Sequence, residues 1–349
     1  MMNRYIFAIF ILLSCFLFTG CWNYREIDSI YIIAGIAIDK VADREEYNVA
    51  TEFVSIKENQ RGEGFESVIL ETKGESIADA VTKMIRVSAK QPYWGHTTSI
   101  IIGEEVAREG IMPFLDLFSR SGEARLGTNV YIAQGKSAKE VLTREGLSTD
   151  VKSYELSIMV NETKYLVKVP LLKVHEIIND LAIPKIHIVL PTIKAYDNDG
   201  KITNLLSGGG VFSQGRLVGF LDDKDMLAYL FIKDMVKAGV LNIKTGIENP
   251  QDVIILQILD SDTKIKPIYG YETIGFDISI KTDTAIWELT TMTDYISPEG
   301  RKKLKELAEK SLEKEIKDHI KDVRKEFGFD IFGFGNIIRQ RNNKLWRNI

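Results

Sequence analysis

Eight apolar residues, Leu304, Leu307, Ala308, Leu312, Ile316, Ile320, Val323 and Phe327, recur at three-and-four spacing, with Lys, Glu and Asp covering the other faces. That period marks an amphipathic helix with one apolar stripe. Ser297 is a good N-cap, Pro298 suits the first helical position, and Gly328 stands where a helix stops. The pattern predicts a helix over about 298–327, most simply packed across a sheet. A partner-binding or coiled-coil helix is the second reading, because one stripe over about 30 residues is long for a single core.

Upstream, strand and helix patterns alternate. Ile30 to Ile38, Tyr47 to Ile56 and Glu66 to Thr72 read as strands, and Ile77, Ala80, Val81, Met84 and Ile85 share one helical face. Strands follow at Thr97 to Ile102 and Thr128 to Ala133, with a helix between them at Ile111 to Phe118. Ser137 with Glu140 forms a capping box, Tyr154 to Val160 and Leu171 to Leu181 look helical, and Ile186 to Ile193 looks extended despite Pro191. At Asp197-Asn198-Asp199-Gly200 the pattern changes to turn chemistry, with short strands to Phe220. A helix from about Asp223 to Val236 precedes four strands, Val253 to Leu259, Lys264 to Tyr269, Thr273 to Thr282 and Ala285 to Thr290.

The fold class is therefore α+β, a mixed α/β arrangement with several domains. The expected division is a leader at 1–20, an N-terminal mixed α/β domain at 21–196, a small central antiparallel β unit at 197–223, and a C-terminal domain at 224–349 in which a meander packs against the long helix. The chain has 349 residues, 45% of them hydrophobic and 27% charged, which favours sizeable cores over disorder. The net charge of −4 argues against general affinity for nucleic acid.

The leader ends at a cysteine. Arg4 gives a positive start, and Tyr5 to Phe18 form an apolar run of about 14 residues, the length of a secretory h-region. A membrane-spanning helix needs about 20 such residues. Thr19-Gly20 before Cys21 resembles the bacterial lipobox, in which the cysteine takes an S-diacylglycerol thioether and an N-acyl group and becomes the mature N-terminus. An ordinary signal peptide or an uncleaved anchor is the other reading. Cys15 lies within the apolar run and leaves with it, so the mature chain has no disulfide.

Little else points to chemistry. His96, His175, His187 and His319 are scattered without metal-binding spacing, and no metal or cofactor is expected. Gly208-Gly209-Gly210 lacks the Gly-Lys-Ser/Thr of a phosphate loop and precedes a strand, which favours a bulge or close backbone approach. No nucleophile elbow appears, and no catalytic residue is assigned. Two aromatic clusters remain, Pro92-Tyr93-Trp94-Gly95-His96 and Asp330-Ile331-Phe332-Gly333-Phe334-Gly335. Tyr93, Trp94, Phe332 and Phe334 are candidate partner contacts, with core plugs as the plainer reading. The basic tail, Arg339, Arg341, Lys344 and Arg347, reads either as a contact for anionic lipid or as a solvated end.

Three segments occur together in order: Cys21-Trp22-Asn23-Tyr24-Arg25-Glu26-Ile27 followed by Ile36-Ala37-Ile38-Asp39, then Gly210-Val211-Phe212 to Leu217-Val218-Gly219-Phe220-Leu221, then Asp330 to Gly335. The combination resembles the Ger(x)C family, the C-subunit lipoproteins of bacterial spore germination receptors, over essentially the whole mature chain. The resemblance implies a three-domain mixed α/β architecture, lipidation at Cys21, and a place on the outer surface of the cytoplasmic membrane, the spore inner membrane. It also implies two integral-membrane partners, the A and B subunits of a nutrient receptor, and no transferable catalytic role. Family members continue beyond the region of Lys344-Leu345-Trp346 with a further strand, whereas this sequence stops at Ile349. The expected function is a non-enzymatic, lipid-anchored accessory subunit needed for triggering germination. A solute-binding lipoprotein that captures a ligand itself is the main rival, and an exported hydrolase the second.

Overall fold

The computed structural model describes residues 4–5, 26, 29–42, 44–59, 62–135, 137–163, 169–243, 253–271 and 273–347. Cys21 and Trp22 to Arg25 lie outside the described residues.

Among the described residues, nine strands form one mixed sheet. Four neighbours are parallel: β1 (Ile30–Lys40), β5 (Ser99–Gly103), β6 (Asn129–Ala133) and β7 (Ile188–Asn198). The antiparallel hairpin β2 (Tyr47–Asn59) and β3 (Gly62–Gly74) extends the β1 side, and a short β4 (Gln91–Tyr93) pairs with the start of β1. On the β7 side, β8 (Lys201–Ser213) and β9 (Arg216–Leu221) continue antiparallel.

The parallel strands are buried on both faces, and alternate residues feed two cores. Ile36, Ile38, Ile100, Ile102, Val130 and Ile132 face α1 (Ile77–Ser88), α2 (Glu104–Glu109), α3 (Met112–Arg120) and, further along, α6 (Val174–Leu181). Ala37, Ile101, Tyr131 and Ala133 face α4 (Ala138–Thr143) and α5 (Lys152–Thr163). α1 starts where Ser76 Oγ accepts from Asp79 N, and its stripe buries Ile77, Ala80 and Met84 while Ile85 turns outward. Ser137 is the N-cap of α4, its Oγ accepting from the Lys139 N–H two residues on.

Two carboxylates in the sheet cap helices of the second core. Asp39 accepts from the N–H groups of Ala138 and Lys139 at 2.7 and 2.9 Å, at the start of α4. Fully buried Glu52 accepts from Lys152 N and Ser153 N, both at 2.7 Å, at the start of α5. The first turn of a helix has unpaired donors and a positive dipole end, so each acid satisfies groups that would otherwise be orphaned. α5 comes so close to β1 that a side chain at Gly35 would overlap Ser153.

A third core joins this sheet to the C-terminal region. α7 (Asp223–Ile232) buries Met226, Tyr229, Leu230 and Phe231 between Val189, Val211 and Leu221 of the large sheet and a three-stranded sheet, β10 (Gly239–Ile243), β11 (Val253–Tyr269) and β12 (Ile274–Thr290). The long helix α8 (Pro298–Phe327) is capped by Ser297 Oγ, stops at Gly328, and buries Leu304, Ile316 and Val323 in the same core. Its stripe therefore packs within the molecule, as the plainer reading of the pattern predicts.

Two expectations are corrected. Residues 197–223 are antiparallel but do not stand apart: the backbone pairing of β7 with β8, from Ile188↔Phe212 to Asn198↔Lys201, carries them into the large sheet. Within them, Gly208 has φ 75°, and a side chain there would meet the Leu221 carbonyl, so the glycine run is a close backbone approach. The second correction concerns the meander, where the four expected strands are two of 17 residues, β11 and β12. The polar stretches around Asp260 and Asp283 mark irregularities in the pairing, not turns.

Candidate interaction surfaces

The Asp330 to Gly335 segment is a clasp. Asp330 Oδ1 accepts from Phe332 N and Gly333 N, both at 2.9 Å, and Oδ2 accepts from Gly335 N at 2.7 Å. One carboxylate thus folds the loop back on itself after α8 ends. Ile331 and Phe332 enter the third core, where Phe332 meets His319 edge-on at 5.7 Å and Tyr229 at 6.2 Å. Phe334 stacks on Phe276 of β12 at 4.6 Å. Gly335 lies against the Trp346 ring, which seats α9 (Phe334–Arg341) against α10 (Asn343–Trp346).

Of the four aromatic residues singled out from sequence, Phe332 is interior, and Tyr93, Trp94 and Phe334 are half-buried. Trp94 stands edge-on to Phe118 at 5.6 Å and packs on the first core. Tyr93 pairs with Ile32 in the sheet and lies 5.9 Å from the His96 ring. The structure does not bring the two clusters together.

The loop joins a set of titratable groups at the seam between the cores. His187 stacks on Phe329 at 4.1 Å, and its Nδ1 has no hydrogen-bond partner among the described residues. Burial lowers the His187 pKa, opposed by Asp330. Burial also lowers Lys233, against the pull of Asp180 and Asp330, and raises Asp180. Nearby, His319 Nδ1 bonds Asp225 Oδ1 at 2.8 Å, tying α8 to α7. These contacts hold elements together: they supply mutual charge compensation at a seam where desolvation is costly.

Among the described residues, no group of three or more His, Cys, Asp or Glu side chains is arranged to hold a metal ion. Two surface depressions of about 290 and 410 Å³ are lined by charged side chains, one along α8 at Lys310 to Lys321, the other by Arg44, Glu45, Glu46 and Glu75. Among the same residues, no helix is long and apolar enough to cross a membrane.

Sequence reasoning missed the end of the β11–β12 hairpin. Ile268 is 57% exposed, Tyr269 50%, and Tyr271 fully exposed. Its signal was the Tyr269-Gly270-Tyr271 run, two aromatics astride a turn glycine. Phe276, a few residues away, carries the contact with Phe334, so this end of the hairpin adjoins the basic helices α9 and α10.

The fold and these sites define a mixed α+β protein in which the distinctive motif residues serve packing and capping. Residues 23–195 match the family described as "Spore germination protein N-terminal domain", and residues 207–349 match "Spore germination B3/ GerAC like, C-terminal". The chain belongs to this GerAC-like spore germination family, the Ger(x)C family that its motifs resemble. It is similar to spore germination protein KC of Bacillus subtilis strain 168, at 21% identity over 100% of this chain and 90% of the relative. Spore germination protein B3 of the same organism is 25% identical over 95% of this chain and 87% of that protein. The crystal structure of the GerBC protein shares the fold, with a TM-score of 0.54 and 20% identity over 90% of this chain and 89% of that one. Family membership supports a role in spore germination.

Proposed function

We propose that this chain is the lipid-anchored accessory C subunit of a nutrient germinant receptor. It docks on the external faces of two integral-membrane subunits, A and B, and stabilises or couples them so that a nutrient signal triggers germination. The observation that carries this reading is the pair of family matches, which together run from residue 23 to residue 349. The first begins two residues after Cys21, where a cleaved and lipidated chain would begin its folded part.

In this reading Cys21 carries the diacylglycerol and the N-acyl chain, and residues 1–20 are removed. Two or more acyl chains, each contributing about 0.8 kcal/mol per buried methylene, suffice for stable anchoring on the outer surface of the cytoplasmic membrane. The tether raises the effective concentration of the folded part beside its partners, and the work is done by contacts and not by catalysis. We assign the exposed surfaces of the region matched at 23–195 and of the region matched at 207–349 to those contacts.

Replacing Cys21 tests the proposal. Cys21→Ala is expected to abolish incorporation of labelled palmitate and to weaken the germination response to nutrients. Unchanged labelling of the variant contradicts the anchor. Titration of the chain with amino acids and sugars separates the scaffold from a ligand-capturing lipoprotein: specific micromolar binding favours the latter.

A further inference from the structure

The four parallel strands start at one end of the large sheet. Gly35 pairs with Ser99, and Ser99 with Asn129, so β1 begins beside β4 and beside the loops that lead into β6 and β7. Cys21 precedes Ile30 by nine residues, so an extended tether reaches at most about 30 Å. A chain anchored at Cys21 must hold this end of the sheet close to the bilayer.

Three features converge there. Lys90, half-buried, lies over the Tyr31 ring at 5.1 Å, beside the start of β1. Lys185, in the loop before β7, lies over the Trp346 ring at 5.7 Å and so brings α9 and α10 to the same end. β7 is three strand positions from β1, roughly 14 Å, which is within the reach of the tether. Residues 339–349 include Arg339, Arg341, Lys344 and Arg347 and no acidic residue. Through Phe334 and Phe276 this basic segment adjoins the exposed Ile268, Tyr269 and Tyr271.

We propose that this end of the molecule is a membrane-contacting face, with Tyr269, Tyr271 and Ile268 at the depth of the lipid headgroups and Arg341, Lys344 and Arg347 on anionic lipid. Aromatic residues with one polar edge favour that interface, and basic residues near it are attracted to anionic headgroups. The partner is a bilayer surface, and the proposal rests on the lipid-anchor reading of Cys21. The face adds orientation to the anchor: a lipid alone lets the folded part tumble, whereas a second contact fixes which surfaces point sideways toward membrane partners.

The test uses the full lipidated chain, purified from bacterial membranes and placed on vesicles of phosphatidylcholine mixed with phosphatidylglycerol. A polarity-sensitive fluorophore is attached at Tyr271→Cys, or at Asn198→Cys, which is exposed at the opposite end of β7. Quenching by a lipid-borne nitroxide is expected at position 271 and not at 198. On phosphatidylcholine alone, or in the variant Arg341→Glu/Lys344→Glu/Arg347→Glu, the quenching at 271 should fall by about fivefold or more. Equal quenching at the two positions, on a chain that floats with the vesicles, overturns the face and leaves the anchor intact. Shielding of position 271 only after membrane subunits are added also overturns it, in favour of a protein contact. A chain that does not float at all removes both readings. Thermal melting of each labelled variant, unchanged from the parent, verifies that the fold is retained.

Discussion

β5, in the large sheet, and β12, in the three-stranded sheet, are strands in opposite environments. Every residue of β5 is buried, with helices over both faces, whereas β12 has no buried residue, one face against α8 and α9, and one edge without a strand neighbour among the described residues. The large sheet holds its shape by removing apolar surface from water on two sides, at roughly 25 cal/mol per Å². The β11–β12 hairpin does so on one side only, and its outer face is a ladder of charges such as Lys266 opposite Asp277 and Asp262 opposite Lys281. The first region has both faces covered; the second leaves one face in water.

The largest expected effect is in the doubly covered region. Ile101→Ala removes a fully buried side chain from the second core and should cost about 4 kcal/mol in urea unfolding, whereas Ile265→Ala on the hairpin should cost roughly half as much or less. Equal losses at the two sites would erase the contrast. Next comes Glu52→Ala, which leaves the Lys152 and Ser153 N–H groups unpaired in a buried site; a loss of about 3 kcal/mol is expected by the same measurement.

The seam between the regions should show a pH dependence. Burial lowers the His187 pKa in the folded chain, so the unfolded chain binds more protons as pH falls past the ordinary histidine value of about 6.5. Stability should decline below that pH and be regained above it, and His187→Phe should flatten the curve measured by melting temperature between mildly acidic and neutral pH. A double-mutant cycle on Lys266 and Asp277 should give the smallest effect, about 0.5 kcal/mol, since both are exposed.

The same contrast explains what could be read from the sequence. Short runs bounded by turn residues and buried on both faces, such as Thr128 to Ala133, were legible because apolar content and length agree. The long helix was legible because period, N-cap and stop coincide at Ser297, Pro298 and Gly328. The hairpin was broken into four strands because Asp260 to Thr263 and the stretch around Asp283 look like loops; on a half-exposed sheet charged residues belong on the wet face and pair across strands. Attachment of β8 and β9 to the large sheet was hidden because pairing of backbone groups leaves little trace in side-chain type. The motif residues were visible as a pattern, but their tasks were not: Asp39 caps a helix about a hundred positions away, and Asp330 turns its own loop. Such roles depend on which N–H groups folding brings within reach.

Co-purification tests whether this chain is a lipid-anchored scaffold that acts through membrane partners. The tagged chain is isolated in mild detergent from spore inner membranes, and its companions are identified by mass spectrometry. The scaffold role predicts two integral-membrane subunits of one receptor in stable ratio with the chain, and their loss when Cys21→Ala is used. Recovery of the lipidated chain without either subunit would contradict it.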